Sequence, residues 1–354
     1  MKKIVLTGGG TAGHVTPNIA LIPELQKKGY EVHYIGSHEG IERQLIEKMN
    51  IPYYGISSGK LRRYFDLKNF TDPFKVLKGF SEARAILKKI KPDVVFSKGG
   101  FVTVPVVYAA KQCGIPSIIH ESDMSPGLAN KLCLPFATKV CANFPEALEA
   151  LPKGKAQLTG TPIRQELFYG NKDKGLQFCG FTANKPVLLI IGGSLGAVAV
   201  NEAVRQVLPE LLQDFQVIHL CGKGKLDESL VGTKGYVQFE YIEKELRDLF
   251  AASDVILSRA GANAICELLA LRIPNILIPL PAHASRGDQI LNANSFAKQG
   301  FSFLLDEDTM TGESLLAAIR QVYTERDEYR ARMAASTQSD AIKIILGMVE
   351  ELSK

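Results

Sequence analysis

The feature that most constrains this chain is its alternation of short apolar runs with longer helical stretches, which is clearest between Asp254 and Asn292. We predict a buried strand over Asp254 to Ser258, a tight turn, and a helix from about Asn263. A second strand over Asn275 to Pro279 leads to another helix opening at Gly287-Asp288-Gln289. This pattern predicts parallel α/β units. Because ligands of such sheets bind beyond the carboxyl ends of the strands, we expect functional residues there.

Glu267 lies about one turn into the helix that follows the first of these strands. A carboxylate there can accept two hydrogen bonds from a ribose diol, and the backbone N–H groups of the preceding turn suit an anion. An acid near a helix N-terminus also stabilises the helix without any ligand. From this residue alone, the two interpretations stay open.

Composition indicates a soluble globular chain with room for two cores. The chain has 354 residues, of which 22% are charged and 46% hydrophobic. The opening MKKIVLTGGG has too few apolar residues for a signal sequence, and no apolar run approaches the roughly 18 residues needed to span a bilayer. The cysteines show neither a CxxC pair nor a zinc-type His/Cys spacing, so we predict reduced thiols in a cytosolic protein and no metal site. They are Cys113, Cys133, Cys141, Cys179, Cys221 and Cys266.

A glycine-rich loop follows the first predicted strand, Lys3 to Leu6, and precedes a helix from about Pro17. Its glycines fit G-x-G-x-x-G, so a dinucleotide site must be considered. The next strand ends without an acid at its tip, since Glu39 comes two or three residues late. The match to a dinucleotide site is therefore weak. His14 lies at the mouth of the loop, and we favour a ligand-facing role for it over that of an ordinary helix-start histidine.

Two more polar loops follow strands of the first half. Lys98-Gly99-Gly100 comes after a strand over Val94 to Ser97, and a cluster from His120 to Asn130 follows a strand over Ser117 to His120. Glycine pairs allow a phosphate to approach the backbone closely. Each loop could be a simple turn, but three such loops at one sheet edge favour a binding crevice.

The pattern restarts after a boundary at Gly160 to Arg164. An apolar strand over Val187 to Ile191 runs into the glycine loop 192–197, and a helix is predicted from about Val200 to Leu212. Each half therefore has a strand, a glycine loop, a helix that begins with an asparagine nearby, and a second strand ending in glycine. This predicts two similar α/β domains. We expect the amphipathic C-terminal helix, Asp340 to Leu352, to pack back on the first domain.

Residues 60–91 form a basic segment with ten lysines and arginines against three acids, so its net charge is +7 while that of the whole chain is +5. Phe74, Leu77 and Phe80 are spaced like one face of a helix. An amphipathic helix packed on the sheet, with a solvated basic face, explains this composition. So does a patch resting on an anionic membrane. A nucleic-acid surface is a third possibility, although the aromatics lie on a helix rather than a sheet platform. The segment alone slightly favours packing.

Several motifs occur together and in order: GGGTAGH, KGGFVTVP, HESDMSPGLANK, TGTPIR, GGSLGA, and SRAGANAICELLALRIPNILIPLP with DQILNA. Through them, nearly the whole chain resembles the MurG family of bacterial peptidoglycan glycosyltransferases. The resemblance implies the glycosyltransferase-B fold, an α/β architecture in which two Rossmann-like domains with parallel sheets face each other across a cleft. The acceptor and membrane-facing domain would cover 1–162, and the donor domain 163–339. The C-terminal helix, about 340–354, would pack back on the first domain.

The resemblance also implies an inverting hexosyltransferase that moves N-acetylglucosamine (GlcNAc) from UDP-GlcNAc to the 4-hydroxyl of N-acetylmuramic acid in lipid I. The β-1,4-linked product would be lipid II, a precursor for cell-wall synthesis and hence for cell shape and division. No cofactor and no metal would be required. The protein would lie peripherally on the cytoplasmic face of the cell membrane.

On the donor side, the resemblance assigns Glu267 to the uridine ribose, and Ile242 with the backbone around Ala262 to Cys266 to the uracil. Ser194, supported by Arg164, would bond the diphosphate, and Gln289 beside Asp288 would bond the sugar hydroxyls. Thr11, Ala12 and Gly13 would complete this side from the first domain. The donor-binding set is Thr11, Ala12, Gly13, Arg164, Ser194, Ile242, Ala262, Asn263, Ala264, Ile265, Cys266, Glu267, Asp288 and Gln289.

For catalysis, the hypothesis is that His14 is the general base, with Asp123 or Glu121 as second candidates. Asp123 stands where some family members carry Asn, and an acid there could act either as a base or only as a hydrogen-bond acceptor. The loops at Gly9, Gly10, Gly99 and Gly100 would serve the acceptor and its phosphates.

The partners implied are UDP-GlcNAc, lipid I and the anionic inner-membrane surface, with room for other cell-wall synthesis proteins and no nucleic acid. A lipid acceptor moves the interpretation of residues 60–91 towards membrane docking. Three competing classes of function remain. An NAD(P) dehydrogenase would leave the second-half glycine loop unexplained. Another UDP-sugar enzyme, such as a UDP-GlcNAc epimerase or a diacylglycerol glucosyltransferase, would differ in the first-domain loops. A non-enzymatic nucleotide or membrane module would need no polar residues facing a cleft.

Overall fold

The computed structural model describes residues 1–59, 72–193, 196–284 and 287–353. Its contacts divide the chain into two compact units. The first unit comprises Met1–Arg164 and Thr337–Lys354, and the second comprises Gln165–Ser336. The sequence predicts the first boundary after residue 162 and the return of the chain at about 340.

The first unit is built on a sheet in which the described residues form seven parallel strands, in the order β3-β2-β1-β4-β5-β6-β7. The chain moves outward in one direction from β1 to β3 and in the other from β4 to β7. The switch point between β1 and β4 is where a sheet of this kind opens a ligand crevice. The strands are β1 (Lys3–Thr7), β2 (Glu31–Ser37), β3 (Tyr53–Ile56), β4 (Val94–Ser97), β5 (Ser117–Glu121), β6 (Lys139–Ala142) and β7 (Ala156–Leu158).

Helices cover both faces of this sheet, because side chains on a buried parallel strand alternate between two apolar faces. Ile4 and Leu6 of β1 belong to one buried cluster, and Val5 belongs to another on the opposite face. The helices of this part of the chain are α1 (Thr16–Lys27), α2 (Ile41–Glu47), α3 (Asp72–Ile90), α4 (Thr103–Gln112) and α5 (Leu128–Cys133).

The second unit repeats the plan with six described parallel strands in the order β10-β9-β8-β11-β12-β13, and its switch point lies between β8 and β11. The strands are β8 (Val187–Ile191), β9 (Gln216–Leu220), β10 (Tyr236–Phe239), β11 (Val255–Ser258), β12 (Asn275–Leu277) and β13 (Phe303–Leu304). The helices are α6 (Lys172–Cys179), α7 (Val198–Gln206), α8 (Leu208–Asp214), α9 (Leu246–Ala252), α10 (Ala262–Leu271), α11 (Asp288–Lys298), α12 (Gly312–Thr324) and α13 (Arg326–Ala334).

The single helix predicted over Val200 to Leu212 is wrong, because the structure has α7 and α8 in its place. Val207 breaks the helical path with φ −107° and ψ 14°. Pro209 explains the break: it has no N–H to donate, and its ring crowds the carbonyl four residues earlier.

The last helix, α14 (Ala341–Leu352), packs on the first unit. Ile345 and Val349 lie in the same buried cluster as Ile4 and Leu21. Two ion pairs flank this contact, Lys139–Glu351 at 2.5 Å and Lys28–Glu350 at 2.7 Å. Exposed pairs of this kind add little stability, so the apolar contact holds the helix in place.

The basic segment is only partly described, since residues 60–71 and the side chain of Phe74 lie outside the described part. In α3, Phe80 is half-buried and its ring lies 4.8 Å from that of Tyr108, while Leu77 is 65% exposed. The structure therefore separates these two residues, which we predicted to share one face. Ala83 and Leu87 form the stripe of α3 that faces the sheet. Phe80 therefore packs against Tyr108 of α4, and Leu77 faces solvent. None of the described helices is long and apolar enough to cross a membrane.

Candidate functional site

Two glycine loops meet at the switch point of the first sheet. The Gly9 N–H donates to the Gly99 carbonyl at 3.3 Å. Gly100 has φ +91°, and a Cβ there would overlap the Gly9 carbonyl oxygen. Only glycine combines that left-handed backbone with such a close approach. The predicted glycine positions Gly9, Gly10, Gly99 and Gly100 are thus brought together.

Glu42, at the start of α2, supports the first glycine loop through hydrogen bonds. Its carboxylate is fully buried and accepts hydrogen bonds from the Gly10 N–H at 3.2 Å and from the Ser37 N–H at 3.0 Å. The Ser37 hydroxyl donates to the same carboxylate at 2.5 Å. The N–H groups of Gly9 and Gly10 therefore bond within the protein. A phosphate could use the Gly10 N–H only if its bond to Glu42 opened.

His14 closes a short 3-10 turn, Ala12–His14, beside this loop. Its Nδ1 lies 3.0 Å from the Gly9 carbonyl oxygen and 3.2 Å from the Thr11 hydroxyl. A carbonyl oxygen only accepts hydrogen bonds, so Nδ1 carries the proton and Nε2 carries the lone pair. Burial, followed by the positive charge of Lys98, lowers the pKa of His14. The imidazole is thus held neutral, with a basic nitrogen able to take a proton.

A buried lysine that sequence reasoning missed connects the second glycine loop to the third polar loop. Lys98 is 1% exposed, and its ammonium donates to His120 Nδ1 at 2.9 Å and to the Ser122 hydroxyl. On its other side, His120 Nε2 lies 2.8 Å from the Gly160 carbonyl oxygen. His120 must therefore be neutral, with its proton on Nε2. Burial and the Lys98 charge accordingly place its pKa well below the usual value.

Glu121 holds the loop that carries Asp123. Its buried carboxylate accepts hydrogen bonds from the Asp123 N–H at 2.9 Å, the Gly127 N–H at 3.0 Å and the Asn130 side chain at 2.8 Å. These contacts favour a supporting role for Glu121 over that of a base, because proton uptake would weaken all three bonds. Asp123 itself is half-buried.

In the second unit, β8 leads into the third glycine loop, 192–197. Ser194, the predicted diphosphate ligand, lies outside the described residues. A Cβ at Gly196, whose φ is +69°, would overlap the Cys221 carbonyl oxygen, so this loop rests on the chain after β9. From there, the Lys225 ammonium reaches the Gly196 carbonyl oxygen at 3.3 Å, and Arg205 fixes the Lys225 carbonyl at 2.7 Å. Sequence reasoning missed Lys225.

Glu267 lies in the second turn of α10. The helix begins at Ala262 with Gly261 as its N-cap, and its first turn has no acid. The helix dipole acts mainly within the first turn, so helix stabilisation alone no longer explains a carboxylate here. The other predicted residues of this helix differ in burial: Ala262, Asn263 and Ala264 are half-buried like Glu267, whereas Ile265 and Cys266 are buried.

Gln289 ties together the loops that follow β11 and β12. Its side-chain oxygen accepts hydrogen bonds from the Ala260 N–H at 3.3 Å and the Leu280 N–H at 3.1 Å. Asn292, one turn further along α11, donates to the Ala260 carbonyl at 3.0 Å. Gln289 therefore lies beside the turn that opens α10, on the same sheet edge as Glu267. Asp288 is exposed at the start of α11.

The remaining predicted residues are more peripheral. Ile242 is half-buried and follows β10, at the same sheet edge as the other second-unit residues. Arg164 is half-buried and is the last residue of the first segment of its unit. Within the ranges that the structure describes, no group of three or more His, Cys, Asp or Glu side chains is arranged to hold a metal ion. All six cysteines are free thiols.

Residues 4–142 match the glycosyltransferase family 28 N-terminal domain, and residues 187–345 match its C-terminal domain. The chain is 69% identical to a protein of Lachnoclostridium phytofermentans, over 99% of both chains, and 65% identical to one of Lachnospira eligens, over 100% of both. Both are named UDP-N-acetylglucosamine–N-acetylmuramyl-(pentapeptide) pyrophosphoryl-undecaprenol N-acetylglucosamine transferase. The crystal structure of Acinetobacter baumannii MurG is similar with a TM-score of 0.76 and 27% identity, over 99% of this chain and 100% of that one.

The contact between the glycine loops can be measured by replacing Gly100 with alanine. Gly114 provides the control, because its φ is +72° but a Cβ there has open space. We expect Gly114→Ala to lower the free energy of unfolding by about 1–2 kcal/mol, the cost of a left-handed alanine. Gly100→Ala should cost roughly 1–3 kcal/mol more, since the Gly9 carbonyl must also move. Urea unfolding measures both changes, and equal losses would show that the loops are not in forced contact.

Proposed function

The chain belongs to glycosyltransferase family 28, and we propose that it transfers GlcNAc from UDP-GlcNAc to the lipid-linked acceptor of its relatives, N-acetylmuramyl-(pentapeptide) pyrophosphoryl-undecaprenol. The observation that carries this proposal is the 69% identity over 99% of the chain to a transferase of that name. The enzyme is an inverting hexosyltransferase. The 4-hydroxyl of N-acetylmuramic acid attacks the anomeric carbon of GlcNAc, and UDP leaves from the opposite face.

The incoming hydroxyl must lose a proton, and His14 is the residue we propose to take it. Its Nδ1–H is directed at the Gly9 carbonyl, which turns the lone pair of Nε2 to the opposite side of the ring. Its lowered pKa keeps it deprotonated at neutral pH, as a general base must be. Asp123 remains the second candidate, while the bonds to Glu121 assign that residue to holding the Asp123 loop.

The second unit is proposed to bind the donor. The position of Glu267 beyond the first turn of α10 suits a carboxylate that accepts hydrogen bonds from the ribose diol. The uracil would lie against the backbone of Ala262 to Cys266 and Ile242. Gln289, beside Asp288, can donate its amide N–H to a sugar hydroxyl while its oxygen holds the protein loops.

The leaving diphosphate gathers negative charge, which the enzyme must stabilise as it develops. Ser194 and Arg164 are the proposed ligands, with Thr11, Ala12 and Gly13 completing the donor side from the first unit. Lys225 is a further cation at the third glycine loop, and Arg205 holds its backbone in place. The positive end of the α10 dipole lies at the same sheet edge.

The lipid-linked acceptor leads us to propose that the enzyme works at an anionic membrane surface, on the cytoplasmic face. Leu77, Ser81, Arg84 and Lys88 are all exposed on α3. At 3.6 residues per turn they form one stripe along the helix. The exposed Leu77 at one end of this stripe, with Arg84 and Lys88 further along it, suits the headgroup region of anionic lipids. Other cell-wall synthesis proteins are further candidate partners, and nucleic acid is not among them.

The reaction is tested by measuring UDP release from UDP-GlcNAc with and without a short-chain analogue of the lipid acceptor. We expect release that depends on the analogue, together with a disaccharide product by mass spectrometry. Release or epimerisation of the donor without acceptor would instead indicate a UDP-GlcNAc epimerase. UDP binding without turnover would contradict the proposed acceptor.

His14→Asn should lower kcat by about 10²–10⁴-fold, because asparagine can still donate to the Gly9 carbonyl but cannot take up a proton. KM for UDP-GlcNAc should change little, since the proposed donor contacts lie mainly on the second unit. The matched control is His38→Asn, which removes an exposed histidine from the same unit. A kcat near that of the wild type in His14→Asn would exclude His14 as the base.

Membrane docking is tested with the double variant Leu77→Ser/Lys88→Glu. We expect binding to phosphatidylglycerol vesicles to fall by about tenfold or more, from the lost apolar contact and the reversed charge. Ile41→Ser/Lys48→Glu makes the same change of one exposed apolar and one exposed basic residue around α2, and should leave binding intact. Cosedimentation at two salt concentrations provides the measurement, and equal binding by both variants would place the docking surface elsewhere.

A further inference from the structure

We propose that Lys98 is a positioning residue for the proton transfer described above: its buried ammonium holds the loop that carries Asp123 and places a positive charge at the glycine loop beside His14. This inference rests on the proposed function, because it concerns the same site. Lys98 does not touch substrate in this proposal and acts through its neighbours.

The first part of the proposal rests on hydrogen bonds. The Lys98 ammonium donates to both His120 and Ser122, the residues on either side of Glu121. His120 is anchored in turn to the Gly160 carbonyl, and the Ser122 carbonyl accepts from Asn143 at 3.2 Å. Lys98 therefore links the chain after β4 to the Asp123 loop from inside the fold, where no solvent competes for its bonds.

The second part rests on charge and place. Lys98 directly follows β4 and precedes Gly99, where an added Cβ would lie 3.7 Å from Cδ2 of the His14 ring. A Cβ added to Gly8 would lie 3.4 Å from the Lys98 Cβ and would overlap the His14 carbonyl oxygen, so the residues are neighbours. A buried positive charge in the loop beside an imidazole disfavours the imidazolium ion. The lowered pKa of His14 agrees with this, with burial as the larger cause and Lys98 as the next.

One other charge acts on His14 from the described elements around it. Glu42, from the start of α2, opposes Lys98 and raises the pKa of His14, as does the hydrogen bond to the Gly9 carbonyl. Thr11, on the same turn, is uncharged. A buried cation from one loop and a buried carboxylate from α2 thus act on the imidazole in opposite directions. Without Lys98, burial alone would oppose the effect of Glu42, so the pKa of His14 would rise.

A buried lysine is costly to keep charged, since the ammonium loses its hydration on folding. A neutral apolar side chain of similar length, such as methionine, would avoid that cost. Such a residue could neither donate to His120 and Ser122 nor repel a proton from His14. Those two losses can be separated by three substitutions at this position.

Lys98→Met removes the charge and the donors, Lys98→Gln removes the charge but keeps N–H donors, and Lys98→Arg keeps both. The pKa of His14 should rise in the first two variants, because a repelling charge is gone. Since the base must be neutral, the acid limb of the kcat–pH profile should move to higher pH in these two variants and stay in place in Lys98→Arg. At high pH, Lys98→Met should also lose kcat by about tenfold or more through the disordered loop, and Lys98→Gln should lose less.

NMR titration of the histidine rings gives the same answer without turnover. The chain has only six histidines, and the His14→Asn spectrum assigns the relevant signal. We expect the His14 signal to titrate at higher pH in Lys98→Gln than in the wild type. An unchanged titration and acid limb in Lys98→Gln would overturn the proposal, as would an equal shift in Lys98→Arg. If Lys98→Met does not fold, the Gln and Arg variants still decide the question.

The two proposals fail in distinguishable ways. If the wild type does not transfer GlcNAc to the lipid analogue, the proposed function fails, while the titration still shows whether Lys98 controls His14. If transfer occurs but the Lys98 variants keep the wild-type acid limb, the function stands and the role of Lys98 is wrong.

Discussion

The close contact between Gly9 and Gly100 is the constraint on which the first unit's site depends. It arises because β1 and β4 are neighbouring parallel strands, in register from Ile4 opposite Val94 to Thr7 opposite Ser97. Parallel strands lie about 4.8 Å apart, so the loops that leave their carboxyl ends have no room for side chains between them. The missing side chains let the backbones meet, and this places the His14 turn over the second glycine loop.

The second consequence of this packing is electrostatic. With the loops closed, Glu42 and Lys98 are both buried close to His14 and act on it in opposite directions. Neither effect would survive in water, where a Debye length of about 8–10 Å and the high dielectric constant weaken both. The pKa of a residue in this site is therefore set by side chains that need not touch the substrate.

Much of the architecture was predictable from sequence. A glycine pair follows each of the short apolar runs at Val94–Ser97 and Val187–Ile191, and the structure has strands with those same bounds. The fold class and the family are confirmed as well. Sequence reasoning missed Glu42 and Lys98, because an isolated charged residue normally lies on the surface. A signal existed for Glu42, which stands four residues before the buried Ile46 and so occupies the core-facing stripe of α2. Lys98 is buried only by the placement of β4 between β1 and β5, which the sequence alone does not reveal.

In both units an asparagine side chain fixes the end of a strand, although the charges around the two strand ends differ. In the first, the Asn18 side chain of α1 donates to the Thr7 carbonyl at the end of β1. In the second, the Asn201 side chain of α7 donates to the Cys221 carbonyl just after β9. Each amide fixes a strand end beside a glycine loop, so the scaffold is shared. What differs is the charge placed around it. The first unit buries a carboxylate and an ammonium whose charges act on one imidazole in opposite directions, which suits control of a proton. The second places Lys225 and a helix N-terminus at its loops, which suits an anion. An inverting transfer needs both a proton acceptor and a stabilised leaving group, and in the proposed mechanism each copy of the fold supplies one of them.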